Sequence, residues 1–148
     1  MSQLLSLEKI LHVKENEKNE AQLKHHRSVE AFEKVALNLY EKLKKKETAE
    51  QLLDETLQKK MTITELREQS TYIEQLKREI IAIQEEVNEA RALMEHHKAN
   101  LTNKHIEFKK IEKIIELRRE KIKAKEKREE NILMDEISIQ QYMSQKNR

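Results

Sequence analysis

The chain has no glycine and no proline anywhere in its 148 residues. Hairpins, tight turns and phosphate-binding loops depend on these two residues for their backbone angles. A multi-stranded sheet or a nucleotide-binding α/β domain is therefore very hard to build here, and helix is what remains. Charged residues make up 39% and hydrophobic residues 36%, with three Tyr, two Phe and no Trp. That apolar share is low for a globular core and matches long helices or a coiled coil. The formal net charge is only +2, so the charges are mixed and do not force disorder. They suit i,i+4 pairs on solvated helix faces, and by themselves do not argue for nucleic acid or a membrane. The absence of Cys excludes disulfides, thiol chemistry and thiolate metal sites, and fits a reducing compartment. The opening stretch MSQLLSLEKILHV lacks the basic region and apolar run of a signal peptide. No segment approaches the roughly 20 apolar residues of a membrane span.

One break stands out in the helical pattern. Thr62-x-x-Glu65 is a capping-box pattern that opens a helix. Lys59 and Lys60 sit where a preceding helix would end and favour its negative dipole end. The pattern predicts a helix over about 3–59, a turn over about 60–64 and a second helix over about 65–143. In the second helix one heptad frame runs uninterrupted. Its a positions are Leu66, Ile73, Ile80, Val87, Met94, Leu101, Phe108, Ile115 and Ile122, all apolar. Its d positions are Gln69, Leu76, Ile83, Ala90, His97, Lys104, Ile111 and Arg118. The first helix carries a weaker frame, with a positions Leu4, Leu11, Lys18, His25, Phe32, Leu39, Lys46 and Leu53. Its d positions are Leu7, Lys14, Ala21, Ser28, Val35, Lys42, Ala49 and Thr56. Leu43, Leu52 and Leu57 fall outside it, which predicts a stutter near the turn.

Folding the chain at about residue 61 brings every a position of one helix opposite a d position of the other. Phe32 meets Ala90, Val35 meets Val87, Leu39 meets Ile83, Leu7 meets Ile115 and Leu11 meets Ile111. His25 falls opposite His97, and Lys18 opposite Lys104. A parallel dimer would instead set Lys14, Lys18, Lys42, Lys46, Lys104 and Arg118 each against its own copy. The hairpin leaves one Lys–Lys layer and lets the other basic side chains pack their stems and snorkel. The expected fold is therefore all-α: a single coiled-coil domain over 1–148, an antiparallel two-helix hairpin with unequal helices. Residues 123–148 overhang at the C-terminus, a helix of roughly 35–40 Å. A basic run, residues 118–128, precedes an apolar one, residues 132–143, in which Ile132, Leu133, Ile137, Ile139, Tyr142 and Met143 have no partner within the hairpin. An exposed apolar segment of this kind is a binding element, or else a frayed or self-associating tail.

No catalytic constellation is present, and no cofactor is implied. There is no Gly-rich phosphate loop and no nucleophile on a suitable scaffold. Carboxylates on two paired helices lie on solvated faces. His25 and His26 fall level with His96 and His97, which raises the question of a metal. Adjacent helical residues diverge by about 100°, however, and helical metal sites use i,i+4 spacing. A polar layer is the expectation, and no metal site is expected. The basic segments 42–46 and 118–128 lack interleaved aromatics, so no nucleic-acid partner is expected.

With that architecture in hand, the chain resembles the flagellar export protein FliJ family over its whole length. The resemblance rests on Leu4-x-x-Leu7-x-x-Ile10-Leu11 followed by Lys14-Glu15-Asn16-Glu17, on Tyr72-Ile73-x-x-Leu76-x-x-x-Ile80, and on the ending Met134 to Met143. It implies a cytoplasmic component of the type III export apparatus, peripherally associated with the inner membrane and not inserted in it. Members are antiparallel two-helix coiled coils that resemble the rotary stalk of F-type ATPases. The implied partners are the hexameric export ATPase, the export-gate membrane protein and export chaperones. For the ATPase, the resemblance points to Leu4, Leu7, Ile10 and Leu11 with Ile132, Leu133, Ile137, Ile139 and Tyr142. For the gate, it points to Tyr72, Leu76 and Ile83 with Leu39, Tyr40 and Leu43. Leu76 and Ile83 also occupy seam positions, where core packing competes with exposure. Glu79 and Lys42 make this surface more charged than the family pattern. The rival readings are a generic dimeric coiled-coil scaffold and a basic helical nucleic-acid binder.

Overall fold

The structure, a computed structural model, describes residues 2–147. Among them it contains two α-helices, α1 (Ser2–Leu57) and α2 (Ile63–Lys146), and no strand. They pack antiparallel as a hairpin with unequal helices, and the end of α2 overhangs. The reversal occupies residues 58–62. Thr62 caps α2: the Glu65 N–H donates to Thr62 Oγ1 at 3.2 Å, and the Leu66 N–H donates to the Thr62 carbonyl at 3.1 Å. This is the geometry of an N-cap hydroxyl serving the third helical residue. It starts α2 at Ile63, two residues before the position expected from the apolar pattern. On the other side, the Lys59 N–H donates to the Thr56 carbonyl at 3.0 Å and tightens the last turn of α1. No described residue has a positive φ, so the reversal is made from ordinary backbone angles.

The chain forms two compact units. One joins the start of α1, up to Lys18, with α2 from Lys104 onward. The other is Asn19–Asn103.

In the Asn19–Asn103 unit, every a and d position of both frames is buried or half-buried. Ala21, Ser28, Ile73, Leu76, Ile80, Ile83 and Val87 form the buried centre. Ser28 is satisfied by donating its hydroxyl to the His25 carbonyl at 2.6 Å. The expected stutter is absent. Ala49, Leu53 and Thr56 stay turned inward, while Leu43, Leu52 and Leu57 remain exposed. The physical reason is the unbroken frame of α2: a stutter in one strand alone would unseat every later a–d layer. Lys42 reaches across to Glu79 at 3.0 Å, and the Arg91 guanidinium lies 5.6 Å from the centre of the Phe32 ring.

In the unit holding both chain ends, Phe108 and Ile115 are buried, with Leu4, Leu7, Leu11, Ile111 and Ile122 half-buried around them. A ring of four charges ties the strands together. Lys14 meets Glu107 at 3.2 Å and Glu17 at 3.5 Å. Lys104 meets Glu17 at 3.5 Å and Glu107 at 3.7 Å. Lys18 turns its ammonium onto the Phe108 ring, 4.2 Å from the centroid. The expected Lys18–Lys104 layer is thereby resolved: one lysine takes an aromatic face and the other takes two carboxylates. Further out, Arg119 bonds Glu8 at 2.7 Å and Arg118 donates to Gln3 at 2.5 Å.

These contacts fix a pH response. Hydrogen bonding from Lys42 holds the Glu79 carboxyl below its ordinary value of 4.5, and hydrogen bonding from Lys14 does the same for Glu107. Their contribution is full above about pH 4.5 and is lost as pH falls through the depressed values. Lys14 is raised above 10.5, first by its bond to Glu107, so its contribution persists until pH rises past that. The melting temperature should be flat between these limits and drop in acid. In a Glu79→Gln/Glu107→Gln variant the acid drop should shrink, and an undiminished drop counts against this assignment. Thr62→Ala should cost about 1 kcal/mol, read as a fall of about 2–4 °C in melting temperature.

Candidate partner-binding surfaces

Large apolar side chains are exposed along both helices, Leu5, Leu37, Ile81 and Leu93 among them, and two regions hold the candidate partner-binding residues. The first is the end of α2. Every described residue from Lys123 to Asn147 is exposed. Relative exposure is 58% for Ile132, 56% for Leu133, 42% for Ile137, 61% for Ile139 and 64% for Tyr142. At about 100° per residue, Ile132, Ile139 and Met143 line one face. Leu133 and Ile137 line a second face roughly 120° away. Of the N-terminal candidates, Ile10 is exposed. Leu4, Leu7 and Leu11 are half-buried in the seam and offer only their edges. The basic run is partly used within the molecule, since Arg118 and Arg119 clamp α1 through Gln3 and Glu8. Lys121, Lys123, Lys125, Lys127 and Arg128 remain exposed, interleaved with Glu120, Glu126 and Glu129.

The second region lies beside the turn in the Asn19–Asn103 unit. Ala49, Leu52 and Tyr72 line an apolar groove that also takes in Thr48 and Gln69 and is edged by Glu41, Lys44 and Lys45. Tyr72 is half in solvent. Tyr40 borders the region through Lys44, whose ammonium lies 3.5 Å from its hydroxyl and 5.5 Å from its ring centre. Leu43 is exposed, but its angular position sets it on the opposite flank of the seam. Leu39 is half-buried. Leu76, at 3% exposure, and Ile83, at 7%, are buried in the seam. As d positions facing α1 they can meet a partner only if the helices part. The Lys42 and Glu79 charges neutralise each other across the seam.

Sequence reasoning passed over Gln69. Its Oε1 is buried and has no hydrogen-bond partner among the described residues. The signal was available: it is a polar d position between apolar a positions, Leu66 and Ile73. An unpaired buried acceptor costs about 1–3 kcal/mol. Gln69→Leu should therefore raise the melting temperature by several degrees, and a fall would show that the amide is satisfied in solution.

The histidines form no metal centre of three or more ligands among the described residues. His25 and His97 are half-buried. The His96 and His97 rings meet edge to face at 5.4 Å, and His26 lies 3.0 Å from Glu30. No described helix is long and apolar enough to cross a membrane.

A family model described as "Flagellar FliJ protein" matches residues 2–147. The Flagellar FliJ protein of Bacillus subtilis (strain 168) is 36% identical over 145 residues, covering 98% of this chain and 99% of that protein. No solved structure matches the chain. With every described residue inside the match, and with the paired helices, seam and overhang laid out above, the chain belongs to the FliJ family of flagellar proteins.

Proposed function

We propose that this protein is a non-enzymatic component of the flagellar type III protein export apparatus. In this reading its chain-end unit binds the hexameric export ATPase and stimulates it in the manner of a central stalk. The groove beside Tyr72 meets the export-gate membrane protein, and export chaperones are further partners. The protein works in the cytoplasm, held at the membrane by these contacts.

The observation that carries the reading is the overhang. Five large apolar side chains of α2, Ile132, Leu133, Ile137, Ile139 and Tyr142, stand in solvent beyond the start of α1. Burying each contributes roughly 1.5–3 kcal/mol, and a ring interior is a site that could enclose a helix on several faces. Having no reactive group to offer, the chain acts on hydrolysis by favouring some conformations of the ring over others. At the other surface, the half-exposed Tyr72 ring with its hydroxyl stands beside the exposed Leu52 side chain and offers an aromatic, a polar and an aliphatic contact. That combination suits a specific protein partner.

The test is ATP hydrolysis by the cognate export ATPase at a concentration where it is mostly monomeric. The full chain should raise the rate severalfold in step with ring formation. A chain ending at residue 122 should not, while keeping its helical circular dichroism. Leu133→Asp/Ile137→Asp in the full chain should reproduce the loss. Stimulation unchanged by both alterations would sink the proposed role of the overhang.

A further inference from the structure

The heptad frame of α2 does not stop where α1 runs out. Ile122 is the last half-buried a position. Carried onward without a break, the frame places Lys125, Ile132, Ile139 and Lys146 at d and Glu129, Glu136 and Met143 at a. All seven are exposed. The hairpin interface thus continues for several turns with its inner face built and its second strand missing.

The sequence of that face specifies the missing strand. An antiparallel partner must put d opposite a, as α1 does. A second copy of the same segment, related by a two-fold axis between residues 137 and 138, does so throughout. Glu129 then faces the second copy's Lys146, and Ile132 faces the second copy's Met143. Glu136 faces the second copy's Ile139, and each pairing recurs on the other side of the axis. The outer layers are opposite in charge and the next layers inward are apolar on both sides. Sliding by one heptad toward the hairpin would set a charge against an apolar residue in every layer, where the pairing above does so only in its two central Glu136–Ile139 layers. Sliding by one heptad the other way keeps matched layers, Glu136 with Lys146 and Ile139 with Met143, but shortens the seam from six layers to four and leaves Ile132 unpaired. A parallel pair would set Glu129, Glu136 and Lys146 each against its own copy.

We propose that two copies of the chain associate tail to tail through this antiparallel coiled coil of residues 129–146. Helix is present before pairing, so little ordering cost opposes it. The seam is short, with two fully apolar layers, so a weak and reversible association is expected. The interface is isologous and closes at two copies, leaving the face of Leu133 and Ile137 uncovered.

Sedimentation equilibrium of the full chain, from about 5 to 500 µM, tests this. A reversible monomer–dimer equilibrium is expected. Glu129→Lys creates two Lys–Lys contacts and should weaken the dimer about tenfold, and Lys146→Glu should do likewise. The double variant Glu129→Lys/Lys146→Glu should restore parental affinity, a recovery that neither a parallel dimer nor a contact through another face would show. Ile139→Lys should give a monomer of unchanged helicity. A chain that stays monomeric throughout the range overturns the proposal and leaves a different protein as the occupant of this face. A dimer insensitive to the single substitutions, or one not restored by the double variant, overturns it as well.

Discussion

A lysine at a seam position accepts very few neighbours, and this protein places five of them there. Lys46 is served by Glu50 of its own helix at 3.7 Å, and the other four reach across the seam. Lys14, Lys18, Lys42 and Lys104 each need a counter-group within reach, since a charge taken partly from water must be paired or led back to it. The opposite strand supplies Glu107, Phe108, Glu79 and Glu17 respectively. These partners exist only for an antiparallel pair in one register. The apolar layers could tolerate a slip by a heptad, whereas the lysines could not. Individually such partly exposed ion pairs add little stability. Their work is in specificity, with the apolar a and d residues providing the cohesion.

Register then decides what is left in solvent. With the strands fixed against each other, α1 begins opposite the Arg118 region, and the rest of α2 has nothing to pack on. The exposed apolar residues of the overhang are therefore a result of unequal strand length at fixed register. The same register buries Leu76 and Ile83 and leaves Tyr72 at the surface one residue before the seam position Ile73. Placement, more than residue type, separates cohesive apolar residues from those available to a partner.

Periodicity made the helices, their direction and their layers readable before any coordinates, because heptads report on a and d positions. It could not report on the flanking residues that make those layers work. Glu17 and Glu107 precede the a positions Lys18 and Phe108, so an a/d inventory passes over them and predicts a Lys–Lys clash. The same blindness hid Arg119, whose partner Glu8 also lies outside the frame, and the flanking Gln3 that Arg118, itself a d position, takes as its partner. Both arginines looked like free basic charge and are clamps on α1. The stutter was a false reading of Leu43, Leu52 and Leu57: near a turn, leucines outside the frame can stay exposed at modest cost, whereas shifting the frame would disturb every layer after it. At the candidate surfaces, the resemblance nominated Tyr72 and Leu43 together, but the groove beside Tyr72 is lined by Ala49 and Leu52 and leaves Leu43 out.

The absence of a left-handed residue at the reversal reaches beyond the turn. Paired residues lie few positions apart beside residues 58–62 and 115 apart at Gln3 and Arg118. The entropy of closing a loop grows with its length, so assembly is least costly when it begins at the turn and closes layer by layer toward the termini. Without proline, no slow peptide isomerisation interrupts that progress. The hairpin behaves as a zipper with a closed end and an open end. Strands that parted near the termini would stay aligned by the turn and would not have to search again for register.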